Sequence, residues 1–546
     1  MKIKSTGYRG WRRLCRRAPD FVRAERGTVL VWAAIMMVPL LGFMGLGVDT
    51  ARAYLLKARM GQALDSAVLA AARSNADQNA SEQRGKTVFK ANLPAGFMGA
   101  TLNGPTFEFN NTDHTVKATA SASLPTYFMH LVGFTTFHVN ASNEAKRNAN
   151  SLEISLVLDI TGSMSGSKIA DLKTAAKDLV DTVVWDDQSE YYSKVAIVPY
   201  SNAVNVGAYA GQIRGGVAAP KAITGATKAN PVVITSNNHG FNNGDKVFIT
   251  GVKGMTQINN DADNSPTATT NPQYWVVANK TANTFQLKRS DGSSANGKNW
   301  SSYSSAGAIY CMTAGCEYYQ FTSASNTSRV FQISSCVSER TGAQAYTDAA
   351  PSTAFLGRVY DADSNPCPSA AILPLTPDKT TLKNKIDSLT VAGSTAGHLG
   401  TAWGHFMISP NFGYLWPNGS APAAYGAQEL IKIAVIMTDG EFNTSYCNGV
   451  ISKDAGSGSG SSSDHINCNA TNGSSSSQAL KYCQAMKDKG IIVFTVGFDL
   501  DTQAAKDLLK QCATSETYAY LASNGAALKE AFRSIAINIS RLRLSR

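Results

Sequence analysis

Apolar and polar positions change their spacing several times along this chain, and each change predicts a different kind of element. Thr28 to Val48 reads TVLVWAAIMMVPLLGFMGLGV, 21 residues without a charge. At a rise of about 1.5 Å per residue this run matches a hydrocarbon core of about 30 Å, so a membrane-spanning helix is expected over residues 27–49. A cleaved export signal would have a shorter apolar run, and a core helix is rarely all-apolar at this length. The next stretch, ARAYLLKARMGQALDSAVLAAAR, keeps a helical period with Lys57, Arg59 and Asp65 at polar positions. Short alternating segments follow, Thr106–Asn110, Thr115–Ala120 and Phe137–Ala141, separated by Asn and Gly turns. Residues 50–147 therefore read as a helix followed by a small β region.

From Leu152 the pattern becomes strand and helix in alternation. LEISLVLD precedes an amphipathic stretch in which Ile169, Leu172, Ala176, Leu179 and Val183 share one face. KVAIVPYS, KIAVIMTDG and IIVFTVGF are further apolar strands, and the last helix aligns Leu528, Phe532, Ile535, Ile539 and Leu542. Buried strands interleaved with amphipathic helices predict an α/β fold, a doubly wound, mostly parallel sheet covered on both faces, over residues 148–222 and 311–546. Residues 223–310 interrupt it with VVITSNNHGF, NNGDKVFITGV, QYWVVANKT and NTFQLKRSDG. These are strands with Asn/Gly turns, hence an inserted all-β domain. Residues 455–476 are rich in Gly and Ser and read as a flexible, poorly ordered surface insertion.

Charge supports the membrane reading. The chain carries +11, but Met1 to Arg26 holds nine Lys or Arg against Asp20 and Glu25, a net +7 that leaves +4 for the remaining 520 residues. A thinly spread excess is no nucleic-acid face, whereas a basic block beside an apolar run is an orientation signal. It puts residues 1–26 in the cytoplasm and the body of the chain on the far side. Cys15 then stays in a reducing space while the other eight cysteines enter an oxidising one. Their spacing suggests local pairs: Cys311 with Cys316, Cys336 with Cys367, Cys447 with Cys468 and Cys483 with Cys512. Eight cysteines permit about 105 connectivities, so other pairings stay open.

The candidate chemistry lies at strand ends. DITGSMSGSK places Asp159, Thr161 and Ser163 at alternate positions as the chain leaves its first core strand. Thr438 and Asp439 close another, and Thr395 lies in a loop between them, with Thr401 an alternative for that role. Carboxylates and hydroxyls at one end of a sheet are hard oxygen donors, suited to Mg²⁺ first, with Mn²⁺ or Ca²⁺ as alternatives. No GxSxG, HExxH or phosphate loop occurs, so no catalytic residue is assigned and the chain does not read as an enzyme. His398 and His405 read as structural.

Asp159-Ile160-Thr161-Gly162-Ser163 with Thr438-Asp439-Gly440 is similar to the metal-ion-dependent adhesion site of von Willebrand factor type A domains. That resemblance implies metal ligands at Asp159, Thr161, Ser163, Thr395 and Asp439, and a protein partner that completes the coordination with an acidic side chain. RGTVLVWAAIMMVPLLGFMGLGVD followed by QALDSAVLAAA, with CVSER, LPLTPDK, GTAWGHFMISP and FRSIAINISRLRLS further on, resembles TadG-like proteins of the tight-adherence (Flp) pilus system. Trp32 stands where a processed pilin-like segment counted from Gly27 would carry Glu, so cleavage there is not expected. The resemblance implies a single-pass bacterial inner-membrane protein with a periplasmic body that assembles or anchors Flp pili. A surface adhesin binding host or neighbouring-cell ligands is the alternative.

Overall fold

One helix, Thr28–Ala72, carries the charge-free run and the patterned stretch after it without a break. It is long and apolar enough to cross a membrane. Leu30, Met37 and Phe43 lie exposed on its first half, whereas Leu56, Met60, Leu64 and Ala67 on its second half are buried. The change follows what the second half packs on: the shorter helix Gln78–Asn92 and a three-stranded antiparallel sheet of Thr101–Asn110, Thr115–Pro125 and Thr136–Lys146. Along the middle strand Val116, Ala118, Ala120, Ala122 and Leu124 are buried at every second position, the period that turns one face of a sheet inward. The computed structural model describes residues 28–72, 78–110, 115–146, 150–189, 191–261, 272–456 and 460–543. The basic tail at residues 1–26, with Cys15, and Gly27 lie outside them. The chain divides into two units, Met1–Asn148 and Ala149–Arg546.

The second unit is built on a six-stranded sheet. Its order is Leu373–Thr376, Ser193–Tyr200, Ser151–Asp159, Leu430–Thr438, Ile492–Phe498 and Ala519–Ala522. The first of these is antiparallel to its neighbour and the other five run parallel. Side chains alternate between two apolar cores. Leu152, Ile154, Leu156 and Leu158 of the central strand pack with Leu172 and Leu179 of helix Ser167–Val183 and Phe532 and Ile535 of helix Gly525–Arg543. Val157 and Ile436 pack with Trp403 and Phe406 of helix Gly397–Phe406 and Tyr482 of helix Ser475–Asp488. Each fully buried large apolar side chain contributes roughly 1.5–3 kcal/mol, which is why these strands read as unbroken apolar runs. A buried charge interrupts these runs at Glu153, which pairs with Lys432 on the adjacent strand and accepts from the Tyr192 hydroxyl at 2.9 Å.

Between the strands Ser193–Tyr200 and Leu373–Thr376 the chain forms two further sheets. Seven short antiparallel strands from Lys221–Ala222 to Ala308–Cys311 enclose their own core of Ile234, Val247, Ile249, Trp275, Phe285 and Leu287. Tyr318–Thr322, Ser328–Ser338 and Gly357–Tyr360 form the second, with Val204–Asn205 added alongside. Hydrophobic patterning does not predict this last sheet, whose strands carry Ser, Gln and Arg among scattered apolar residues.

Four disulfides join Cys311 to Cys316, Cys336 to Cys367, Cys447 to Cys468 and Cys483 to Cys512. Part of the Gly/Ser-rich segment makes specific contacts. The Asp464 carboxylate accepts from Arg329 at 3.2 Å and Ser364 at 2.7 Å, and the Ile466 amide donates to the Ile451 carbonyl at 2.7 Å. Composition favours solvation, but the disulfide at Cys468 and these polar partners hold residues 460–468 against the neighbouring sheet.

Candidate metal centre

The parallel register sets Val157 opposite Ile436, so the two central strands end side by side. Asp159 closes one of them and Thr438 the other, both buried. The Thr438 hydroxyl donates to Asp159 Oδ2 at 2.8 Å. The Thr161 amide folds back onto Asp159 Oδ1 at 2.9 Å, which bends the chain out of the sheet and aims the next side chains across it. Thr161 and Ser163 hydroxyls lie 2.9 Å apart, and Ser163 donates to Asp439 Oδ1 at 2.6 Å. A chain of hydrogen bonds thus joins Asp159, Thr161, Ser163 and Asp439, four of the five predicted residues.

Thr395, the fifth, is buried and is not bonded to the other four. Its amide donates to Asn443 Oδ1 at 3.0 Å and its carbonyl accepts from the Asn443 amide at 2.9 Å. The loop that holds it accepts the Gly162 amide at the Gly393 carbonyl, 2.9 Å away. Thr401 belongs elsewhere: it lies inside helix Gly397–Phe406 and donates its hydroxyl to the Gly397 carbonyl at 2.8 Å. His398 is buried between Ser475 Oγ at 2.7 Å and Glu339 Oε1 at 2.9 Å, and His405 contacts the Tyr425 hydroxyl at 3.0 Å.

Two further residues belong to the site. Tyr200 ends the strand beside Asp159 and donates to Asp159 Oδ2 at 3.0 Å. Its ring lies over Gly400, where an added Cβ would come within 2.5 Å of Tyr200 Cδ1, so the helix needs glycine there. Lys168 reaches Asp439 Oδ2 at 3.1 Å and Asp499 at 3.3 Å. Apolar patterning singles out neither residue, and only the fold reveals what each touches.

Burial and the nearby charge of Asp439 push the Asp159 carboxyl up to about 6. Two carboxylates thus lie close together, linked through Thr161 and Ser163, in a place where negative charge is poorly solvated, which a divalent cation would relieve. Every donor is a hard oxygen, the type Mg²⁺ and Mn²⁺ prefer. Among the described residues no group of three or more His, Cys, Asp or Glu could hold an ion, so a site here depends on its hydroxyls.

Residues 27–74 match the model of a family described as putative Flp pilus-assembly TadE/G-like. The match falls on the N-terminal helix. No curated protein matches the chain. Among solved structures, the von Willebrand factor domain of the type V pili tip protein Mfa5 from Porphyromonas gingivalis is 11% identical, covering 73% of this chain and 97% of that one at a TM-score of 0.31. The pilus adhesin SpaC from Lactobacillus rhamnosus GG is 11% identical at a TM-score of 0.31 over 81% of this chain and 35% of its own, so this chain spans about a third of that length. A von Willebrand factor type A protein from Catenulispora acidiphila is 11% identical at a TM-score of 0.26, covering 80% of this chain and 50% of that one.

Proposed function

We propose that this chain is a membrane-anchored, metal-dependent protein-binding component of Flp pilus assembly or anchoring at the bacterial cell envelope. The observation that carries this reading is the cluster at two adjacent strand ends, in which Asp159 accepts from Thr438, Asp439 accepts from Ser163, and the Ser163 hydroxyl meets that of Thr161. The six-stranded sheet is read as a doubly wound von Willebrand type A fold, with residues 223–310 as an inserted all-β domain. Asp159, Thr161, Ser163, Thr395 and Asp439 would hold a divalent cation, Mg²⁺ first and Mn²⁺ or Ca²⁺ after it. When bound, the cation supplies a positive centre that accepts an acidic side chain from a protein partner. Tyr200 keeps Asp159 in place, and Lys168 orients Asp439 from the outer side. The helix Thr28–Ala72 is read as a single inner-membrane span, with residues 1–26 cytoplasmic and the body periplasmic. The arrangement is a binding centre rather than a catalytic one.

Isolation of the tagged full-length chain from pilus-forming cells, in Mg²⁺ and in EDTA, tests this reading. Pilus-assembly or envelope proteins should co-purify in Mg²⁺ and be lost both in EDTA and in the Asp159→Ala variant. Retention in EDTA contradicts metal dependence.

A further inference from the structure

The connection between the strands Thr115–Pro125 and Thr136–Lys146 reads TYFMHLVGFT over residues 126–135. Connections are ordinarily polar because they face water. This one leaves Tyr127 62%, Phe128 44%, Leu131 73% and Phe134 62% exposed. It is nevertheless firmly held. Asp49, the first charge after the 21-residue apolar run, is 1% exposed and accepts three of its amides: Tyr127 on Oδ1 at 3.0 Å, and Phe128 and Met129 on Oδ2 at 2.9 Å each. A buried carboxylate is tolerated only when hydrogen-bonded in this way, so the contact locks the loop to the helix.

Two neighbours complete the lock. One turn before Asp49, Gly45 meets the loop so closely that an added Cβ would stand 2.3 Å from Phe128 Cβ. One turn after it, Arg52 donates to the Pro125 carbonyl and the Met98 carbonyl at 3.1 Å each, and its guanidinium stacks 3.6 Å over the Tyr127 ring. The loop is therefore pinned at the level where the charge-free part of the helix ends. Leu46 and Val48, next to Gly45 and Asp49 on the helix, are exposed as well, so apolar side chains of helix and loop are exposed together where the two are joined.

We propose that this loop is a second membrane contact, with Tyr127, Phe128, Leu131 and Phe134 seated in the interfacial layer of the bilayer that the helix spans. This rests on the membrane reading of that helix. Continuity with the helix surface selects lipid as the occupant. Tyr and Phe suit the depth, since aromatic rings are favoured at the headgroup level, where an apolar body and a polar edge are both satisfied. A rigid loop at that depth fixes the rotation and height of the helix, which an apolar cylinder alone leaves free.

The test uses the full-length chain with Cys15→Ser, which leaves the eight paired cysteines, and one new cysteine at Leu131→Cys, Leu40→Cys or Asn103→Cys. Each carries an environment-sensitive dye in phosphatidylethanolamine–phosphatidylglycerol vesicles, and is quenched either by lipid spin-labelled near its ester groups or by aqueous iodide. The dye at residue 131 is expected to be quenched several-fold more by the lipid, and several-fold less by iodide, than the dye at residue 103, with residue 40 closed to iodide. If residue 40 is closed but residue 131 responds to iodide as residue 103 does, the loop contact is overturned and the span stands. Shielding of residue 131 from both quenchers means that protein covers the loop, which also overturns it. Iodide access at residue 40 overturns the span and the loop contact together.

Discussion

The Ser163 hydroxyl donates to Asp439 Oδ1 across 2.6 Å, so the loop leaving one central strand closes on the carboxylate that follows its neighbour. Ser163→Ala removes a hydrogen bond to a charged group, a loss of roughly 1.5–3 kcal/mol. Denaturant unfolding in EDTA should show that loss, and added Mg²⁺ should stabilise the variant less than the parent. Equal stabilisation of both by Mg²⁺ removes Ser163 from the site.

Tyr200→Phe keeps the ring over Gly400 and deletes only the hydroxyl that contacts Asp159. Loss of an outer partner of this kind weakens metal binding by roughly 10–100-fold with the ligands intact. Gly400→Ala acts differently, because its Cβ meets the Tyr200 ring at 2.5 Å. Overpacking of this sort costs about 1–3 kcal/mol, visible as a lower denaturation midpoint.

That Asp159, Thr161, Ser163 and Asp439 lie together was legible because each follows an apolar strand, and neighbouring parallel strands end on the same edge of a sheet. Thr395 was readable only as a member of its loop. Tyr200 and Lys168 were not readable, since an apolar strand ending in tyrosine and a lysine at a helix start acquire meaning only from register. The same limit hid the sheet of residues 318–360, whose strands mix polar and apolar residues. In residues 460–468, composition recorded the solubility of Gly and Ser but not the partners of Asp464. The disulfide pairs are those that proximity in sequence suggests.

The buried pair Glu153–Lys432 holds the two central strands together where both are covered by helices. Lys432→Met strands a buried carboxylate, at a cost of about 3–5 kcal/mol. Adding Glu153→Met should restore much of it in the same unfolding assay, because two apolar side chains leave no charge uncompensated. A double variant as unstable as Lys432→Met would assign the cost to packing rather than charge.

Burial pushes His405 down from 6.5 to about 4, outweighing the attraction of Asp348. Between those values the unfolded chain takes up a proton that the folded one refuses, so stability falls as pH drops through that window. A shift of this size corresponds to about 3 kcal/mol, present in full above pH 6.5 and lost by pH 4. His405→Gln should flatten the stability profile over that range; an unchanged slope would place the acid sensitivity in another group.

Isothermal titration of Mg²⁺ and Mn²⁺ into the purified full-length chain in detergent decides whether Asp159 and Asp439 form a metal site. Saturable binding by the parent, lost in both Asp159→Ala and Asp439→Ala while each remains folded, is the predicted result. A folded parent that takes up neither ion, or variants that bind as well as the parent, would contradict it.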